Sequence, residues 1–195
     1  SPGVHNFSGT AKTCGGSTAT SIANLTVSGT YTINGSLTVG TALIIAPVTA
    51  SLATASTFIL TVTGTTSVSG TVKLAGTSTK IFTGNVTVNA GGTWNETGVA
   101  AISYGGNLVN NGSFTANTGI HTFSGTTKTI SGINVIAIPN LTISGTTTNN
   151  GTLTVATNIA GTSTFTNGAS GVLNLGGTSA ITTLNATTVG NTVNY

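Results

Sequence analysis

The sequence predicts an all-β fold, a parallel β-solenoid (β-helix) built from Thr/Gly-rich, hexad-like repeats. Three observations predict it. Apolar residues recur at i and i+2, mostly with a threonine between them, which puts both on one face of a strand. These pairs return every six residues across Gly-containing turns, as in Leu25–Val27, Tyr31–Ile33, Leu37–Val39 and Leu43–Ile45. With 28 glycines and threonine the commonest residue, no apolar stripe at i, i+3, i+4 outlasts one helical turn.

Taken in order, the first run spans residues 25–45, with Gly29 and Gly35 in its turns. The β-branched threonines between the apolar pairs suit outward strand positions. Residues 46–57, "APVTASLATAST", break the beat and read as an irregular corner or loop. The frame returns at Leu60, Thr66 and Val72, with Gly64, Gly70 and Gly76 between. A further run passes through Ile102, Leu108, Phe114 and Ile120. Sliding the chain by 116 positions then aligns residues 5–44 with 121–160 without a gap, with 22 of the 40 pairs identical. The whole of 1–195 therefore reads as a single β-repeat domain with an internal duplication, 5–44 and 121–160, whose copies are expected to share one local path.

A second architecture uses the same residues. "NG" and "SG" between short alternating strands are hairpin signals, compatible with an antiparallel meander or a β-sandwich with strand exchange between subunits. The strands are short and interchangeable, whereas a sandwich needs strands of unequal place and length. This favours the solenoid, with three hexads giving a coil of about 18 residues.

"NLTISGTTTNNGTLTV" (140–155) and "GTSTFTNGASGVLNLGG" (161–177) resemble the β-strand repeat regions of bacterial cell-surface and autotransporter-adhesin-like proteins. The resemblance covers most of the chain. It implies a β-solenoid style of fold and an extracellular setting, and it brings no catalytic or binding motif with it.

Composition narrows the chemistry. Charged residues are 3% of the chain, against about 25% in ordinary domains. The ionic side chains are Lys12, Lys73, Lys80, Lys128 and Glu96. Four scattered lysines form no phosphate-binding patch, so nucleic-acid binding is not expected. No apolar run approaches the roughly 18 residues of a membrane span. Ser1 opens the sequence without Met or a signal-like stretch, which reads as a processed or excised chain.

Each candidate site has a plainer reading. Cys14, the single cysteine, aligns with Ile130 and reads as an ordinary apolar position. His5 and His121 align with each other and read as duplicated structure; zinc would need more ligands than this composition supplies. The absence of Asp leaves calcium poorly served. Glu96 as sole carboxylate excludes a paired-carboxylate hydrolase and leaves a Ser-His-Asp triad without its acid. One special chemistry is conceivable, a lysine–asparagine isopeptide at Lys73 or Lys80 assisted by Glu96. Trp94, Tyr31 and Tyr104 are spread along the chain and read as packing. The nine N-x-S/T sites, at Asn6, Asn24, Asn34, Asn85, Asn95, Asn111, Asn140, Asn150 and Asn185, read as turn and strand residues.

No catalytic residue, metal site or cofactor is expected, and the chain is not expected to be an enzyme. The functional expectation is an extracellular or cell-surface structural protein, a subunit of a surface filament, stalk or adhesin that self-assembles head to tail. "NTVNY" (191–195) echoes the opening "VHNF", so Val4, His5, Phe7, Val193 and Tyr195 are the expected assembly residues. The alternative is a binding module, either a glycan adhesin at the cell surface or an ice-binding solenoid with a threonine ladder.

Overall fold

The computed structural model describes residues 3–195, and its regular elements are all strands, with no helix among the described residues. The reading of Ser1 falls outside them. Every strand pairing is parallel, so the "NG" and "SG" pairs are corners and not hairpins. The chain winds as a β-solenoid of about ten coils. Successive partners lie from 17 residues apart (Thr20 to Leu37) to 23 apart (Leu43 to Thr66), and most coils exceed three strict hexads.

Each full coil contributes to three faces. The first face stacks Val4–Phe7, residues 24–27, residues 42–45, Thr65–Val68, Val86–Val88, Leu108–Asn110, Lys128–Ser131, Thr147–Asn149 and residues 165–167. The third face runs from residues 20–22 through residues 37–39, Leu60–Val62, Lys80–Phe82, Ile102–Tyr104, Ile120–Phe123 and Asn140–Ile143 to residues 158–160 and 178–181. Long strands such as Thr20–Val27 and Asn158–Asn167 carry the chain round the corner between these faces and join them into one sheet. The second face is split. Six strands from Lys12–Cys14 to Ser113–Thr115 form one sheet, and four from Ile136–Ala137 to Thr192–Asn194 form another.

The alternation read from the sequence sets inside from outside. Leu25, Val27, Leu37, Val39, Leu141, Ile143, Leu153 and Val155 are buried, while Thr26, Thr38, Thr142 and Thr154 lie on the outward positions between them and are half-exposed. Residues 46–57, expected as an irregular corner or loop, hold the strand Ser51–Thr54 with Leu52 buried, and at Ile120 the frame itself fails. Ile120 was an expected core position, yet it is 55% exposed and His121 takes the interior place at 0%. The turn after Phe114 holds one residue more than a hexad allows, and one residue inverts a strand's faces.

Corners bring backbone against backbone. A Cβ on Gly64 would collide with the carbonyl of Thr41 one coil earlier, and a Cβ on Gly84 with that of Gly64. Glycine is required there by stacking distance, independently of its φ.

The two aligned segments pair in corresponding registers. His5 lies opposite Leu25 and His121 opposite Leu141; Lys12 opposite Tyr31 and Lys128 opposite Thr147; Thr20 opposite Leu37 and Ile136 opposite Leu153. Ala11 and Thr127, at equivalent positions, both adopt positive φ, 51° and 56°. Each donates its amide to an equivalent threonine hydroxyl, Thr30 at 2.6 Å and Thr146 at 2.7 Å. The faces differ, however: Val4–Phe7 belongs to the first face and Ile120–Phe123 to the third. The same phrase thus sits one face earlier in the coil, which makes strand-plus-corner, and not the coil, the interchangeable unit.

Candidate functional site

Two features of the middle coils bear on function: a buried polar cluster and a cleft in the second face. The cluster forms where the inward alternation places a carboxylate. Trp94 and Glu96 continue the positions of Val72 and Leu74, so Glu96 enters the core of the fifth coil. Three donors converge on it. Trp94 Nε1 donates to Oε1 at 2.7 Å, Asn117 N donates to Oε2 at 2.9 Å, and His121 Nε2 lies 2.7 Å from Oε2.

His121 Nδ1 lies 3.0 Å from the Gly119 carbonyl, which can only accept. The carbonyl places a hydrogen on Nδ1, and one further hydrogen bridges Nε2 and Oε2, so the pair carries no net charge. Both side chains have no solvent exposure. Asn117 completes the turn, donating from Nδ2 to Ala100 O and accepting from Gly119 N.

Tyr104 lies beside this pair, fully buried, and its hydroxyl makes no hydrogen bond of standard geometry. Burial first, and the nearby Glu96 charge second, raise the phenol well above its ordinary value. Around the cluster stands an aromatic stack. Phe82, Tyr104 and Phe123 follow one another on the third face, and Trp94 lies parallel to Phe114 on the second at 5.9 Å and 7°.

The cluster is a satisfied interior device, closed to solvent. It holds the 116–119 turn, the turn that shifts the frame.

Lys80 is the other buried ionic group. Its Nζ donates to the carbonyls of Phe58 at 2.8 Å and Ser78 at 2.6 Å, and burial lowers its pKa. Neither Glu96 nor an asparagine is among these partners, and Lys73 faces outward on the second face. The geometry assembles no isopeptide site at either lysine.

The remaining sequence candidates are dispersed. Trp94 and Tyr104 are core residues; Tyr31 is half-buried and stacks on Phe7 at 4.6 Å. Cys14 is half-buried against the core, free of any disulfide. His5 is exposed on the first coil, unlike its counterpart His121. Val4 is exposed and Phe7 half-buried at the same end; Val193 is half-buried and Tyr195 exposed in the last coil. No group of three or more His, Cys, Asp or Glu side chains gathers among the described residues. They also contain no helix long and apolar enough to cross a membrane.

Outward ladders are mixed. On the third face the aligned outward row reads Ser21, Thr38, Thr61, Ile81, Ser103, Thr122, Thr142, Ala160 and Ala180, so threonine does not recur in every coil.

The cleft lies at the split. Strands Ser113–Thr115 and Ile136–Ala137 are the facing edges of the two sheets of the second face. The cavity there, about 210 Å³, is lined chiefly by Phe114, Ala116, Ala137, Ile138, Pro139 and Thr154. Local sequence explains the gap. After Thr115 the amide of Asn117 turns inward to Glu96, while Pro139 has no amide to give.

Sequence reasoning missed both features. The contact between Glu96 and His121 spans 25 residues and depends on one extra turn residue. The signals available were Glu96 falling on the inward beat and Pro139 interrupting a strand phrase. Compared with protein-family models, curated proteins and solved structures, the chain matches none.

Proposed function

We propose that this chain is a structural segment of an extracellular or cell-surface filament, stalk or adhesin, which assembles with further copies of itself end to end. The observation that carries the reading is the coil stack itself. Parallel ladders on the first and third faces continue from the first described coil to the last, a quasi-one-dimensional architecture whose stability sums over neighbouring interfaces.

Side chains at the two edges of the coil stack, Phe7 and Cys14 at one and Ile181, Leu184 and Val193 at the other, face the core yet are only half-buried. A copy of the chain placed head to tail would cover them, in a heterologous contact that propagates as a filament. Val4, His5, Phe7, Val193 and Tyr195 lie at these edges. Low charge supports the reading, since a net charge of +3 opposes such packing only weakly. The extracellular setting rests on the resemblance to bacterial surface repeats.

Deleting residues 191–195 tests the reading. Sedimentation and electron microscopy should show polymers for the full chain and single short rods for the truncated one. A truncated chain that polymerises normally, or a full chain that stays single at high concentration, contradicts it.

A further inference from the structure

We propose that the cleft between Ser113–Thr115 and Ile136–Ala137 is a binding site for one uncharged sugar ring. This goes beyond the rod reading and does not rest on it. The gap is the one break in strand stacking among the described coils from the second to the ninth, and both its walls are sheet edges.

In a parallel ladder, alternate residues direct their amide groups to opposite neighbours. Ser113 donates its N–H back to Gly92 in the fifth coil, so Phe114 directs its own groups forward, toward the gap. Ile138 donates to Thr154 in the eighth coil, so Ala137 directs its groups back across the gap from the other side. Main-chain donors and acceptors therefore line a cleft whose remaining surface is Phe114, alanine, Ile138, Pro139 and the threonines Thr115 and Thr154.

Three properties select the ligand. The first is thickness. On either side of the gap the sixth and seventh coils remain paired, Leu108 with Ile130 on the first face and Ile120 to Phe123 with Asn140 to Ile143 on the third. An inserted peptide strand would need the coils to part by another strand spacing of about 4.8 Å along its whole length, which these pairings oppose, whereas a single ring needs only the cavity already open.

The second is charge. No charged side chain lines the cleft, and a buried ion without a partner is costly. The third is polarity. Phe114 stacks on Trp94 on the fifth-coil side, which turns its other side toward the gap. An apolar floor with hydroxyl and main-chain groups at the rim suits a ring with a C–H face and a hydroxyl edge. A plain aromatic ring would leave those edge groups unpaired. At about 210 Å³ the cleft is smaller than pockets for drug-sized ligands, roughly 300–1,000 Å³, and takes about one ring.

Trp94 is the only tryptophan and lies against Phe114, so its fluorescence reports on the cleft. The full chain is titrated with methyl glucoside, methyl galactoside, methyl mannoside and N-acetylglucosamine, and with the corresponding tetrasaccharides to separate free sugar from polymer. Saturation-transfer NMR runs in parallel as a second readout. At least one neutral sugar should bind saturably, with a Kd of about 1 mM, and galacturonic acid should not.

Ala137→Phe, which fills the cleft from an exposed position, should weaken binding by about tenfold or more with unchanged thermal unfolding. Phe114→Leu should do the same, with its folding checked by circular dichroism. No saturable response to any of the sugars up to about 100 mM overturns the proposal. Undiminished binding by Ala137→Phe overturns it equally, since the site would then lie elsewhere.

Discussion

Removing the Glu96 carboxylate leaves the donors of Trp94, Asn117 and His121 buried without a partner. Glu96→Ala should cost about 3–5 kcal/mol in urea unfolding, and His121→Ala a similar amount, because each strands the other half of a buried pair. Replacing both with leucine should recover only the part due to the stranded partner of the pair, since Trp94 Nε1 and the Asn117 amide stay without an acceptor. A double variant no better than the singles would show that the pair adds more than mutual compensation. The alkaline limb of stability separates two other buried groups. Tyr104 has a raised pKa in the fold, so its contribution is complete below the unfolded tyrosine value of about 10 and is lost as pH climbs toward the folded value. Lys80 is shifted the other way, so stability should rise with pH from its folded value up to the unfolded lysine value of about 10.4. Melting temperatures measured from pH 8 to 12 should lose the rise in Lys80→Met and the later fall in Tyr104→Phe. Unchanged profiles in both variants would contradict these assignments.

Corner glycines make the strand-plus-corner element testable. Gly64→Ala places a methyl into the Thr41 carbonyl and should destabilise by several kcal/mol, about as much as an overpacked core site. Gly40 occupies the preceding turn of the same corner, where a Cβ meets only ordinary contacts at 3.6 Å and beyond. Gly40→Ala should therefore be neutral or gain up to about 1 kcal/mol by restricting the unfolded chain. Equal effects at the two glycines would refute the stacking argument. At this scale most of the fold was legible: the i, i+2 beat places Leu37 and Leu153 inside, and the hexad places turns at Gly35 and Gly151. Their arrangement into faces was less so, because corner lengths vary and each added residue re-aims the next strand. Ile120 and His121 show the consequence. A hexad count selects Ile120, while the longer Ala116–Gly119 turn delivers His121 to the core and with it the Glu96 contact. Ile120→Thr should accordingly leave unfolding nearly unchanged, whereas Leu153→Ala should cost about 2–5 kcal/mol. The cleft was illegible for a related reason, since a missing ladder between residues 113–115 and 136–137 appears only when the coils are stacked.

Over the whole molecule, coil stacking replaces the charge networks that most domains place on their surfaces. About ten coils at roughly 4.8 Å per strand spacing give a rod about 50 Å long, the length one chain should add to a filament. The duplicated segments occupy different faces, so continuity of the core does not depend on which face a given phrase occupies. That tolerance is what an end-to-end contact between dissimilar end coils needs. The most direct measurement is cryo-electron microscopy of the purified chain across a concentration series. Filaments of one-coil cross-section should form and lengthen with concentration, with an axial subunit repeat of about 50 Å and strand density continuous through each junction. Isolated rods of that length at every concentration, or filaments joined side to side through the faces, would contradict end-to-end assembly.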